Sequence, residues 1–195
     1  MQPRTQSILT MLLELKAVAF DLLDSNHRNP GLLSLYSFID VCSALSNDGH
    51  KHNQEIFESY LEEYAVNSRW DRYTTYDLWA ARSSLLNSFL PLAHHAKKKK
   101  KGIRPIFYFS WPEKPEEIAE LLKRKGYVEF ILLDIQEIKW LAVDAFNELY
   151  KKIKTHPDFE SIVLENAKDI LPNVYYLKLE DEIRAINSLK KETGF

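Results

Sequence analysis

The stretch GLLSLYSFIDVCSALS, residues 31–46, is apolar around its whole circumference when it is wound as an α-helix. A helix with no water-facing side must be surrounded by other elements of its own chain or shared with a partner subunit. Residues 31–46 therefore predict either the central helix of a bundle or a helix at a dimer interface. Pro30 favours a helix start just before the stretch, and the polar residues 46–51 predict a loop after it.

Apolar residues recur at helical spacing on both sides of this segment. The helices predicted for the first half cover about residues 4–24, 31–46, 53–66 and 74–90. Because the loops between them are short, we expect antiparallel neighbours. Residues 1–95 thus predict a helical bundle.

The second half changes character at Arg104–Trp111, whose sequence RPIFYFSW is aromatic-rich and typical of a strand. A short helix over residues 115–125 and a second strand over Tyr127–Leu133 follow. A connection of about 15 residues is long enough for a crossover, so the two strands are predicted to be either antiparallel or parallel.

Asp134, with Glu137 three residues later, is typical of a helix N-cap and capping box. The helix that it opens runs to His156. Helices over residues 158–170 and 180–191 and a strand over 174–179 complete the prediction. The apolar face of the long helix is predicted to consist of Ile138, Leu141, Ala145, Leu149 and Ile153.

These elements predict one domain over residues 1–195, in which a basic loop at 96–104 joins the helical bundle to the strand and helix elements of 105–195. The expected fold is mainly α, a helical bundle with a small two- or three-stranded β element in its C-terminal half. An α+β fold with a larger C-terminal α/β part is the alternative.

Composition excludes several classes of function. The chain has 195 residues, of which 45% are hydrophobic, so it is long and apolar enough for one globular domain. Five glycines make a glycine-rich phosphate loop improbable, and one cysteine allows neither an internal disulfide nor a thiolate zinc site. No metal or cofactor is expected. The chain also shows no signal peptide and no membrane span, so we expect a cytoplasmic protein without membrane contact.

The net charge of −2 conceals a concentrated basic segment. Residues 1–95 carry a net charge of −4, residues 96–104 carry +6, and residues 105–195 carry −4. Such a run attracts polyanions, although it is also typical of a solvated connector. The candidate nucleic-acid contacts are Lys97, Lys98, Lys99, Lys100, Lys101 and Arg104.

The fourth predicted helix carries Arg82 on a face that is otherwise apolar, with Leu78 and Leu85 at helical spacing. An arginine is always charged and suits phosphate binding or the stabilisation of a phosphoryl transition state. The alternative is a structural ion pair between Arg82 and a carboxylate on a neighbouring helix.

This helix and the segment that follows resemble a group of bacterial proteins related to the HEPN helical superfamily. The matching residues are Tyr76-Asp77-Leu78, Arg82, Ser84-Leu85-Leu86 and Arg104–Tyr108, and the helix at 31–46 is similar to the second helix of that group. The likeness covers roughly residues 30–150.

The resemblance implies a helical fold, a homodimer, and a toxin–antitoxin or defence setting with a nucleotidyltransferase-type antitoxin as partner. HEPN ribonucleases use an R-x4–6-H motif, in which a dimer brings two copies together to cut RNA. Arg82 matches the arginine, but Asn87 stands at the histidine position. An amide cannot exchange a proton usefully, so Arg82 and Asn87 mark the candidate catalytic site of a protein whose catalysis is expected to be lost.

Three functions therefore remain open from the sequence. The first is a HEPN-like protein that binds RNA or a nucleotide through Arg82 and the lysines without cutting. The second is a non-catalytic, dimeric interaction protein. The third is a metal-independent ribonuclease in which another residue replaces the missing histidine.

Overall fold

A computed structural model of the chain describes residues 2–49, 52–66, 70–88 and 104–170. Within these ranges the chain forms seven helices and two short strands, which confirms the mainly α fold with a small β element. In chain order the elements are α1 (Pro3–Asp24), α2 (Arg28–Ser46), α3 (Asn53–Tyr64), α4 (Thr75–Ser88), β1 (Ile106–Phe109), α5 (Pro115–Arg124), β2 (Ile131–Asp134), α6 (Ile135–Thr155) and α7 (Pro157–Ile170).

Helix α2 is the centre of the bundle, because it packs against α1, α3, α4, α6 and α7. Its apolar side chains are buried over most of the circumference, including Leu35, Tyr36, Phe38 and Cys42, each with no exposed surface, whereas Ser37 is exposed. Of the two arrangements expected for residues 31–46, the structure shows the central helix. The neighbours that its circumference requires come from the same chain.

A tight turn brings α1 and α2 together as an antiparallel pair. Asn26 adopts a left-handed backbone conformation with φ of 62°, and the N–H of His27 donates to the carbonyl of Leu22 at 2.8 Å. These are features of a helix C-terminal motif. Gly31 then passes so close to Leu23 that a Cβ atom at position 31 would lie 2.6 Å from Leu23 Cγ. The close approach explains why glycine occupies position 31 inside a helix.

The two strands form a parallel sheet, with Ile106 opposite Ile131 and Phe109 opposite Asp134. Helix α5 lies in the crossover between them. The side chains of Ile106, Tyr108, Ile131 and Leu133 face the core, and the alternating residues are half-buried. The parallel arrangement thus resolves the choice that the sequence left open.

Helix α6 begins as the sequence predicts, because the Asp134 carboxylate accepts a hydrogen bond from the N–H of Gln136 at 2.8 Å. Glu137 does not complete a capping box with Asp134. Its Oε2 instead accepts a hydrogen bond from Arg72 at 2.8 Å. The five apolar residues predicted for the inner face of α6 are all buried: Ile138, Leu141, Ala145, Leu149 and Ile153.

The strand expected at 174–179 and the helix expected at 180–191 lie outside the described residues. Among the helices that are described, none is both long and apolar enough to cross a lipid bilayer.

Candidate functional site around Arg82

Arg82 projects from α4 toward α2 and forms a two-point ion pair with Asp40. Its Nε lies 2.9 Å from Asp40 Oδ2 and 3.1 Å from Oδ1, and its Nη2 lies 2.7 Å from Oδ2. The side chains of Arg82 and Asp40 are 21% and 25% exposed, so the pair sits at the border between core and solvent. The third nitrogen, Nη1, donates to no residue in the described part of the chain.

Trp79, one turn before Arg82, packs its indole ring against the face of the guanidinium. The Arg82 Cζ lies 4.6 Å from the centre of the indole ring, within the range of a cation–π interaction. The indole in turn contacts Phe57 of α3 at 5.5 Å between ring centres, and Phe57 stacks on Tyr36 at 6.4 Å. A series of aromatic contacts therefore runs from Arg82 through Trp79 and Phe57 into the core.

Burial raises the pKa of Asp40 above its usual value, and the hydrogen bonds and charge of Arg82 offset part of that rise. Tyr36, one helical turn before Asp40, lies close enough for the Asp40 charge to add to the rise in the pKa of Tyr36, which burial raises most. The Tyr36 hydroxyl is hydrogen-bonded to the hydroxyl of Tyr108 in β1. The hydroxyl pair thus joins α2 to β1 one helical turn away from the Arg82–Asp40 ion pair.

Arg104, a predicted nucleic-acid contact, is bound elsewhere on α4. Its Nη2 lies 2.7 Å from Oδ2 of Asp77, and its backbone N–H donates to Asp77 Oδ1 at 3.2 Å. Asp77 is 1% exposed and also accepts hydrogen bonds from the N–H and the hydroxyl of Thr74, both at 3.0 Å. The Arg104 contact therefore fastens the start of β1 to the first turn of α4.

The structure does not bring Arg82 and Arg104 to one face. Asp77, to which Arg104 is bound, and Arg82 are five residues apart, which is about 140° around α4 and about 7.5 Å along it. Asn87 lies in the last turn of α4, where the backbone is described but the side chain is not. Lys97, Lys98, Lys99, Lys100 and Lys101 fall outside the described residues.

Three histidines are described, and all are exposed: His27, His52 and His156. None of the three is hydrogen-bonded to Arg82 or Asp40. In the described ranges, no group of three or more His, Cys, Asp or Glu side chains is placed to hold a metal ion. Among the described residues, the ionisable group bonded to Arg82 is the carboxylate of Asp40.

Two residues of the site were not predicted as site residues, namely Asp40 and Trp79. Asp40 is the one charged residue in the apolar segment 31–46, and a lone carboxylate in a central helix is a signal that a cation must face it. Trp79 stands three residues before Arg82, a spacing that places both side chains on one helix face. The sequence therefore indicates that Asp40 needs a cationic partner and that Trp79 and Arg82 share a helix face. It does not specify that Arg82 is the partner of Asp40 or that Trp79 contacts the guanidinium.

Comparisons with known proteins add no relative to this description. No protein-family model, no curated protein and no solved structure matches the chain.

Proposed function

We propose that the protein binds RNA or a nucleotide by contacting phosphate at Arg82, and that it does not cut the RNA. The observation that carries the proposal is the orientation of the guanidinium. Asp40 and Trp79 fix one edge and one face of Arg82, and Nη1 remains without a hydrogen bond to the described residues. A fixed, partly exposed guanidinium with an open N–H edge is suited to phosphate oxygens.

Asp40 sets a limit on this site, because its carboxylate cancels most of the charge of Arg82. Long-range attraction of a polyanion must therefore come from other residues. Lys97–Lys101 are the most concentrated positive charge in the chain and follow α4 in sequence. In this proposal the lysines supply affinity that does not depend on RNA sequence, and Arg82 supplies one positioned contact.

The resemblance to HEPN proteins supports the same proposal and extends it to a toxin–antitoxin or defence setting. In that setting the partner is a nucleotidyltransferase-type antitoxin. Asn87 in place of histidine, together with the absence of a described histidine at Arg82, supports binding without cleavage.

The test is the binding of a fluorescent single-stranded RNA and of ATP, each measured over a range of salt concentrations. We expect Lys97–Lys101 replaced by serine to lower RNA affinity strongly and to flatten its salt dependence. Arg82→Gln should weaken binding about tenfold, which corresponds to one charge-assisted hydrogen bond. Arg124→Gln is the matched control, because Arg124 is 77% exposed on α5 and forms an ion pair with Glu120 of the same helix.

Equal affinities of Arg82→Gln and Arg124→Gln would contradict the role of Arg82. Failure of the unmodified protein to bind either probe would contradict the function as a whole. RNA cleavage in EDTA that stops in Arg82→Ala would replace the proposal with the ribonuclease alternative.

The dimeric interaction protein remains a second candidate because α1 has a water-facing apolar stripe. Leu15 and Val18 are 38% and 53% exposed, and Met11 and Leu22 at the same helical spacing are half-buried. If this stripe joins two copies, Val18→Glu should halve the mass measured by sedimentation, whereas Glu14→Gln should not. An unchanged mass in Val18→Glu would reject the stripe as the interface.

A further inference from the structure

Among the described residues, both outer edges of the small sheet lack a further strand, and an arginine is bound at each of them. Strands β1 and β2 pair only with each other among the described residues. Exposed strand edges present unpaired N–H and C=O groups to which another chain can add a strand. Parallel strands are also usually found in larger, covered sheets, so a sheet of two leaves both of its outer edges to be closed in another way.

The outward-facing groups can be identified from the pairing. The N–H of Ile131 donates to the carbonyl of Pro105 at 2.9 Å, so the peptide groups of these residues face the partner strand. Because successive peptide groups along a strand face opposite edges, the carbonyls of Tyr108 and Leu132 face outward.

Both of these carbonyls accept a hydrogen bond from an arginine. Arg28, at the start of α2, donates from Nη1 to the carbonyl of Tyr108 at 3.3 Å. Arg72, in the segment before α4, donates from Nη2 to the carbonyl of Leu132 at 3.1 Å. The two arginines come from different parts of the chain, yet each donates a hydrogen bond to an outward carbonyl at one edge of the sheet.

A glutamate anchors each arginine. Arg28 Nη2 lies 2.7 Å from Oε2 of Glu113, and Arg72 Nη1 lies 2.8 Å from Oε2 of Glu137. The two guanidinium groups are about a third exposed, at 32% and 40% of their side-chain surface, so they stand where an added strand would approach. An added strand would have to displace the guanidinium group from the carbonyl. The displaced charged group would then lie beside the newly paired strands, which opposes the addition.

We infer that Arg28 and Arg72 protect the two outer edges of the described sheet by each occupying one outward carbonyl, and that they thereby prevent a second copy of this chain from adding edge to edge. The inference does not depend on RNA binding, since neither arginine touches Arg82 or Asp40. Removing one arginine opens one edge, and two copies that pair through it leave no open edge, so the expected assembly is a dimer. Removing both arginines opens two edges and allows continued addition of copies.

The test replaces each arginine by methionine, which keeps an unbranched apolar stem and removes the donors. Arg28→Met and Arg72→Met should each form an assembly of twice the mass of the unmodified protein. The double variant should form larger assemblies whose mass rises with concentration. Light scattering after size-exclusion chromatography gives the mass, and far-UV circular dichroism establishes that the helices remain.

The matched control is Arg124→Met with Lys151→Met, which makes the same change of charge and apolarity at two exposed helix positions away from the sheet. This variant should keep the mass of the unmodified protein. Amide hydrogen exchange should show slower exchange in Ile106–Phe109 when Arg28→Met assembles, and in Ile131–Asp134 when Arg72→Met assembles.

Single variants that keep the unmodified mass at the highest soluble concentration overturn the inference. Assemblies whose strand amides exchange as fast as before overturn it as well, because their contact lies elsewhere. If the double variant loses its helices, the two single variants decide the question.

Discussion

The hydroxyl groups of Tyr36 and Tyr108 are hydrogen-bonded to each other at 2.5 Å inside the core, where they join the central helix α2 to strand β1. Tyr36 has no exposed surface and Tyr108 is 8% exposed. Two buried hydroxyl groups that satisfy each other are favourable as a pair, whereas either one alone is a buried polar group without its partner.

This relationship predicts a non-additive pair of substitutions. Tyr36→Phe and Tyr108→Phe should each lower the free energy of unfolding by about 1–3 kcal/mol, because each leaves one hydroxyl without its partner. The double variant should lose less than the sum of the two. Denaturant unfolding followed by circular dichroism measures all three. Tyr127→Phe, at a half-exposed position, is the control and should change stability by no more than about 0.5 kcal/mol. Strict additivity would contradict the mutual bond.

The free energy of unfolding should fall at alkaline pH because of Tyr36, Tyr108 and a third buried tyrosine, Tyr60. Burial raises the pKa of Tyr36, Tyr60 and Tyr108 above the usual value. An unfolded tyrosine loses its proton near pH ~10, whereas these folded ones retain theirs, so the folded chain binds more protons above that pH. The tyrosine contribution is complete below pH ~10 and decreases as the pH rises toward the folded values, by at most about 1.4 kcal/mol per pH unit for each group.

The measurement is denaturant unfolding at a series of pH values, with tyrosinate absorbance recorded on the same samples. The Tyr36→Phe/Tyr108→Phe variant should show a shallower fall in stability between pH ~10 and ~12 than the unmodified protein. Tyrosinate absorbance that rises fully before any loss of helix would refute buried, protonated tyrosines.

Asp77 is expected to be one of the most sensitive positions in the chain. Its carboxylate is buried, accepts from Thr74 at the start of α4, and binds Arg104. Asp77→Ala removes a helix cap and leaves Arg104 without its partner, so we expect a loss of about 2–4 kcal/mol. Thermal or chemical unfolding measures this. Asp71→Ala, at an exposed position in the preceding turn, should have little effect; a similarly small effect of Asp77→Ala would disprove the assignment.

Gly31→Ala should destabilise the protein although alanine is the better helix former by about 1 kcal/mol. The added Cβ would lie 2.6 Å from Leu23 Cγ and 2.9 Å from the Leu23 backbone nitrogen, and the backbone atom cannot move aside without shifting α1. We expect a net loss of about 1–3 kcal/mol in the free energy of unfolding. Ser37→Ala, on the exposed side of α2, is the control for helix propensity. If Gly31→Ala is as stable as Ser37→Ala, α1 and α2 can move apart at little cost, and the close approach does not require glycine at position 31.

Helix faces show how far sequence patterns reach. For α6 the pattern is unambiguous, and its predicted apolar face is the buried one. In α1, Leu15 and Leu22 stand at helical spacing with the buried Leu12 and Ala19, yet Leu15 is 38% exposed and Leu23 is buried in place of Leu22. The α1 segment offers apolar residues on more than one side, and the packing of Leu23 against Gly31 of α2 chooses among them.

For the candidate site too, the sequence indicates which residues are notable but not which residues they contact. Helical spacing identifies Arg82 as an arginine on an apolar face, and Asp40 as the one charged residue within the apolar segment 31–46. Their pairing joins residues 42 positions apart, and no local pattern specifies such a partner. The same limitation applies to Arg104, whose basic context suggests nucleic acid but whose partner is the buried Asp77.

Within the described ranges, the sequence by itself determined the helices with their approximate limits, the N-cap at Asp134 and the presence of two strands, of which the second begins at Ile131 rather than at Tyr127. It also indicated that residues 31–46 could form a central helix. These depend on periodicity, turn residues and capping, which act over a few neighbouring residues. The tertiary structure alone decided that the strands are parallel, that Arg82 faces Asp40, and that Arg28 and Arg72 each donate a hydrogen bond to a carbonyl of a different strand. Each of these depends on groups that are distant along the chain, whose meeting is set by how the buried faces pack together rather than by the local sequence.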